Sequence, residues 1–212
     1  MKLYGYWRSS SAWRVRTALA YKGIRVEGVP VNLRVGEQHE PGFVAKSPAH
    51  TIPLLELDDG RCITQSMAII SYLEETHPEP PLLPKDPVHR AWVREQAELV
   101  NSGIQPLQNL MVLMRVKHEL KGDDTAWAAH WIALGLSALE ALAESRAGRF
   151  SVGDAVSLAD VYLVPQLYNA RRFGADVTRF PTLLRVEAAC LALPAFQEAH
   201  PDRQPDAVKD SK

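Results

Sequence analysis

The residues best suited to chemistry cluster in Tyr6-Trp7-Arg8-Ser9-Ser10-Ser11-Ala12-Trp13-Arg14-Val15-Arg16. Three hydroxyls stand where a strand pattern gives way to a helix pattern. The open amides and the dipole of a helix N-terminus favour an anion at that point. A thiolate is one such anion, and a helix N-terminus lowers a thiol pKa. The segment contains no cysteine, so a thiolate working here must arrive on a cosubstrate. The plainer alternative is that the serines only cap the helix. Gln65-Ser66 repeats the theme, with an amide and a hydroxyl at a second helix start, suited to a carboxylate. Capping is again the simpler role. Thr51-Ile52-Pro53 precedes a strand. A cis Ile52-Pro53 bond would turn the Ile52 backbone toward a peptide-like ligand, although only about 5–6% of X–Pro bonds are cis.

These segments need elements to hold them. Leu3 to Tyr6 reads as a strand, followed by a helix that Gly23 stops. Val26 to Leu33 alternates as a second strand, and Gly36 to Pro48 is a polar loop with short helical turns. Leu54–Leu57 and Cys62–Thr64 flank Asp58-Asp59-Gly60, a hairpin signal, and Gln65-Ser66 opens the next helix. A βαβ unit followed by ββα predicts a four-stranded sheet with helices on its faces. His77 to Pro87 holds five prolines in eleven residues, so it continues neither helix nor central strand. Beyond it the apolar residues recur at helical spacing. Pro106 should bend the run from Leu99 to Met114. Ser157 and Asp160 form a capping box, with Val156 and Val161 placed as its staple. The division predicted is residues 1–80 as an α/β domain, 81–87 as a linker and 88–212 as an all-helical domain.

Composition narrows the function classes. A formal net charge of -1 over 212 residues gives no reason to expect nucleic acid or an anionic membrane as partner. Two cysteines, Cys62 and Cys190, are too few for a disulfide framework, which suggests a reducing compartment. The N-terminus lacks the pattern of a secretory signal, and no apolar run approaches the roughly 20 residues of a span. The seven histidines show no ligand spacing, so no metal is expected. Arg14 and Arg16 read as structural ion-pairing residues. Trp13, Trp127 and Trp131 read as core, both cysteines as buried inert thiols, and the stretch from Pro201 as a mobile tail.

The segment from Arg8 to Arg16 resembles the Ser-Ser-Cys-x-Trp-Arg-Val-Arg signature of zeta-class glutathione transferases, the maleylacetoacetate isomerases. The resemblance continues through Ile52-Pro53, Gln65 to Ile70, Pro80 to Pro84, Gly103 to Asn109, Leu158-Ala159-Asp160, Arg171-Arg172-Phe173 and Gln204-Pro205-Asp206. It implies an N-terminal thioredoxin-like domain followed by a helical domain, a cis Pro53, and a cytoplasmic homodimer. It also implies glutathione as cofactor. Ser9 would hold the glutathione sulfur as thiolate, with Ser10 and Ser11 beside it. Ile52 would pair its backbone with the cysteinyl part, Gln65 and Ser66 would hold the γ-glutamyl end, and Gln108 and Asn109 would close over the tripeptide. Arg8 and Arg172 would hold the carboxylates of an acidic substrate. Two positions depart from the family: Ser11 stands where the signature has cysteine, and Thr51 replaces an amide-bearing or small residue, leaving His50 as another glutathione contact.

The implied reaction is cis–trans isomerisation of maleylacetoacetate to fumarylacetoacetate in tyrosine and phenylalanine breakdown, by reversible thiolate addition. Maleylpyruvate isomerisation and glutathione transfer to haloacids use the same scaffold and chemistry. A glutathione-binding module without turnover is the remaining alternative.

Overall fold

The computed structural model describes residues 1–208. They divide into two compact units: Met1–Pro81 together with the chain from Leu193 onward, and Leu82–Ala192.

The first unit is built on four short strands, β1 (Lys2–Gly5), β2 (Glu27–Pro30), β3 (Leu54–Glu56) and β4 (Cys62–Thr64), in the order β2-β1-β3-β4. β1 and β2 run parallel, joined through helix α1 (Ser10–Tyr21), while β3 lies antiparallel to both β1 and β4. Parallel neighbours require such a crossover. Helix α2 (Pro41–Val44) interrupts the polar loop, and α3 (Ser66–Thr76) follows the hairpin. The hairpin turns at Gly60, whose φ of 86° favours glycine. Trp13, Val15, Leu54, Leu55, Ile69, Ile70 and Leu73 form the core. This is the thioredoxin-like arrangement expected, with β2 confined to the middle of the Val26–Leu33 pattern.

The proline-rich segment is tied down rather than loose. Lys22, at the end of α1, buries its ammonium and donates to the carbonyls of His77 (2.7 Å) and Pro80 (2.9 Å), with Glu74 2.7 Å away. A buried cation needs such partners. Ile52-Pro53 is cis, and so is Glu79-Pro80, which nothing in the pattern announced.

The C-terminal segment departs from expectation twice. It belongs to the α/β unit, and it is anchored well past Pro201. Helix α9 (Pro194–Glu198) buries Phe196 in this unit, Ala199 and Pro201 are also buried, and the His200 ring meets Trp13 edge-on at 5.1 Å. These apolar residues give the segment something to bury, which its polar average conceals. Residues 209–212 of the expected tail lie outside the described residues.

The second unit contains α4 (Pro87–Glu98), α5 (Leu110–His118), α6 (Asp124–Glu144), α7 (Leu158–Arg172) and α8 (Pro181–Leu191). The run expected as one helix bent at Pro106 is instead broken. A π-helical turn (Leu99–Ile104) and a 3-10 turn (Gln105–Gln108) follow α4, and Asn109, with extended backbone, caps α5. Proline removes one donor, and the Asn109 side chain offers the next helix its own start. The capping box of α7 forms as expected: the fully buried Asp160 accepts from Ser157 N–H (2.7 Å), Ser157 O–H (2.9 Å) and Ser151 N–H (2.8 Å). Glu140, near the C-terminal end of α6, accepts the N–H groups of Thr182 and Leu183 at the start of α8.

Three further expectations need correction. Among the described residues α6 is a helix long and apolar enough to cross a membrane, contrary to the sequence reading. Its buried Glu140 serves α8 instead. Trp127 and Trp131 are only half-buried and meet edge-on at 5.8 Å, and the Trp127 indole N–H donates to the Leu107 carbonyl at 3.0 Å. Cys62 is half-exposed on the edge strand, whereas Cys190 is buried and burial pushes its thiol up.

Candidate functional site

The strand register brings three candidate segments to one end of the sheet. Tyr4 pairs with Leu54, and Leu54 pairs with Thr64. The chain leaving β1 toward Ser9, the chain entering β3 through Ile52-Pro53, and the chain leaving β4 into Gln65-Ser66 therefore emerge side by side. Ile52 lies two residues ahead of the first paired position, outside the β3 ladder.

Ser9 is the N-cap of α1. Its Oγ accepts the Ala12 N–H at 3.2 Å, and its own N–H donates to the Tyr6 carbonyl at 3.0 Å. Accepting a cap bond uses an oxygen lone pair and leaves the hydroxyl proton for a further acceptor. Ser9 and Ser11 are half-buried, while Ser10 is buried. Arg8 lays its guanidinium over the Trp7 ring at 5.1 Å. Ser66 is buried at the start of α3, and Arg14 Nη1 donates to its hydroxyl at 3.4 Å, linking the two helix starts. Gln65 is exposed with φ 71°, an unusual backbone for a residue with a side chain. Ser47 Oγ donates to the Thr51 carbonyl at 2.8 Å and so fixes the approach to Ile52.

His50 also has a left-handed backbone, with φ 55°. Its Nδ1 lies 3.2 Å from that of His39, so one ring donates to the other. Nothing in the spacing of these two histidines singled out His39. The same unit contains a cavity of about 680 Å³ lined by Tyr6, Asn32, Arg34, Glu37 and Asp206 among others. Its lining joins the β1–α1 loop, the loop after β2 and the C-terminal segment, so it exists only in the folded chain.

The remaining candidates belong to the helical unit. Gln108 is buried, and its amide pairs reciprocally with Gln166, Nε2 to Oε1 at 2.8 Å and back at 3.4 Å. Asn109 Oδ1 accepts the Met111 N–H at 3.0 Å. Arg172 is exposed at the end of α7, its guanidinium over Phe173 at 4.9 Å.

Arg16 is structural, as expected, but through backbone carbonyls and not through the ion pair that its sequence reading predicts. Arg16 donates to the carbonyls of Trp7 (2.9 Å), Ala199 (3.2 Å) and Tyr6 (3.4 Å). Burial lowers its pKa to about 10, against the opposing pull of Asp206.

The α/β unit thus offers a hydroxyl with a proton to donate, two helix N-termini and a strand approach outside the ladder at one end of the sheet. That donor set fits a tripeptide thiol: an anionic sulfur at Ser9, a peptide unit at Ile52 and a carboxylate at Gln65-Ser66. The fold and this end of the sheet define a glutathione transferase-like protein, and residues 1–75 match the model of the glutathione S-transferase N-terminal domain. Maleylacetoacetate isomerase of Rattus norvegicus is 51% identical over 96% of this chain and 94% of its own. A maleylacetoacetate isomerase from Anaeromyxobacter dehalogenans 2CP-1, solved with dicarboxyethyl glutathione and citrate in its active site, is 56% identical. It covers 98% of this chain and 97% of its own, with a TM-score of 0.89. A maleylpyruvate isomerase, a bacterial zeta-class glutathione transferase in its holo form, is 41% identical with a TM-score of 0.95, covering 98% and 100%. The chain belongs to the maleylacetoacetate isomerase family of zeta-class glutathione transferases.

Proposed function

We propose that this protein is a glutathione-dependent cis–trans isomerase acting on maleylacetoacetate. The observation that carries this reading is the Ser9 hydroxyl, which caps α1 through its oxygen and keeps its proton for a sulfur anion. Bound glutathione would supply a nucleophilic sulfur that adds reversibly to the cis double bond, so the bond can turn before elimination. Ser9 and the α1 amides would hold that sulfur ionised. Ile52 would pair with the peptide of glutathione, Gln65 and Ser66 with its γ-glutamyl carboxylate. Arg8 and Arg172 would orient the diacid, because guanidinium pairs with carboxylate in bidentate fashion. Ser10, Ser11, His50, Gln108 and Asn109 complete the proposed set.

The rat and Anaeromyxobacter enzymes, at 51% and 56% identity, are both maleylacetoacetate isomerases, which favours the longer substrate. The reading includes a cytoplasmic homodimer serving tyrosine and phenylalanine breakdown. Free Cys62 and Cys190 support a reducing compartment, and light scattering tests the dimer. The deciding experiment compares turnover of maleylacetoacetate and maleylpyruvate with and without glutathione. Fast glutathione-dependent turnover of maleylacetoacetate is expected. Turnover of maleylpyruvate alone reassigns the substrate, and turnover without glutathione refutes the mechanism.

A further inference from the structure

The Trp7 peptide is held from both sides by residues that no proposed catalytic step uses. Its N–H donates to Asp206 Oδ2 at 2.9 Å, from a position 199 residues away in the chain. Its carbonyl accepts from Arg16 Nη2 at 2.9 Å. The same guanidinium reaches the Tyr6 carbonyl and, through Nε, the Ala199 carbonyl of the C-terminal segment. The Tyr6 carbonyl in turn accepts the Ser9 N–H. Arg16 and Asp206 also attract one another electrostatically. The loop that delivers Ser9 to the α1 N-terminus is therefore fixed by a side chain inside α1 and by a carboxylate near the end of the chain.

We propose that Arg16 and Asp206 are positioning residues for Ser9: they clamp the Tyr6-Trp7 backbone so that the Ser9 hydroxyl and the α1 amides face one sulfur position. This rests on the reading of Ser9 as the thiolate-holding residue. A hydrogen bond to a sulfur anion depends steeply on donor direction. The loop before Ser9 has no regular secondary structure of its own to set that direction. The C-terminal segment supplies it, which gives Gln204-Pro205-Asp206 a function that its polar composition did not suggest. Trp13 meeting His200 and the burial of Phe196 hold the segment in register with α1.

The test is a titration of enzyme-bound glutathione by thiolate ultraviolet absorbance, with thermal melting on the same samples. Asp206→Ala is expected to raise the bound thiol pKa by about one unit, a tenfold loss of thiolate at pH values below it. Asp206→Asn keeps an acceptor for the Trp7 N–H and should recover most of that shift. A residue that only stabilises the fold would lower the melting temperature and leave the thiol unmoved, and that result overturns the clamp. Should Asp206→Ala melt too low to titrate, Arg16→Lys keeps the charge and loses the three-carbonyl fork. It should give the same upward shift, and an unmoved thiol there overturns the clamp equally. Ser9→Ala separates the two ideas. If it leaves the thiol pKa at the wild-type value, the reading of Ser9 fails. If it raises the pKa and Asp206→Ala does not, only the clamp fails.

Discussion

Replacing Ser9 by alanine removes two interactions of different size, and their difference is measurable. The first is the cap bond from Ala12 N–H to Ser9 Oγ at 3.2 Å. Losing an N-cap costs about 1 kcal/mol, which for a chain of this length lowers the melting temperature by roughly 2–4 °C. The second is the hydrogen bond donated to the glutathione sulfur. A bond to a charged partner contributes about 1.5–3 kcal/mol, which raises the bound thiol pKa by about one to two units. Turnover at neutral pH should then fall about tenfold to a hundredfold. It should recover as the pH passes the ordinary thiol value of about 8.5, where ionisation needs no help. Ser9→Thr keeps both the oxygen and its proton and should retain most activity. The assay is the pH profile of isomerisation beside the thiolate titration. A variant that melts a few degrees lower but keeps the wild-type thiol pKa and rate would show that Ser9 is a helix cap and nothing more.

Other consequences follow from single features. Asp160→Ala leaves the buried Ser151 and Ser157 amides without their acceptor. At about 1–3 kcal/mol for each buried unsatisfied group, the melting temperature should drop by roughly 6 °C or more. Denaturation followed by circular dichroism checks this. Gly135→Ala would place a Cβ 2.2 Å from Cγ1 of the buried Ile104. Overpacking of about 1–3 kcal/mol should outweigh the roughly 1 kcal/mol gained in helix propensity. Pairing the change with Ile104→Ala should relieve the clash, so the two effects on stability should not add. His200 is held below its ordinary pKa of 6.5, chiefly by burial and against the pull of Asp202. The unfolded chain therefore binds this proton more readily than the folded one. The contribution is present above pH about 6.5 and is lost as the pH falls through the lowered folded value. Melting curves of His200→Asn should lack that component of acid sensitivity.

Local patterns made much of the fold legible. The Ser9 cap, the Gly60 turn, the Ser157–Asp160 box and the β-strand alternation each rest on residues within a few positions of one another, and each forms where its pattern lies. The chemistry of the Ser9 segment was legible for the same reason. A cluster of hydroxyls before a helix states its own preference for an anion.

What the sequence could not decide depends on residues far apart in the chain. The register Tyr4–Leu54–Thr64 sets three loops beside one another. The Gln108 amide is satisfied by Gln166 on another helix, and the Trp127 indole N–H by a carbonyl twenty residues away. The C-terminal stretch from Pro201 reads as a polar, mobile tail. Asp206, with His200 just before the stretch, meets its partners on α1 and the loop before it. Serine and helix signals are carried by neighbouring residues and can be read along the chain. Burial and long-range hydrogen bonds depend on which surfaces meet, and that is decided only when the strands and helices have packed.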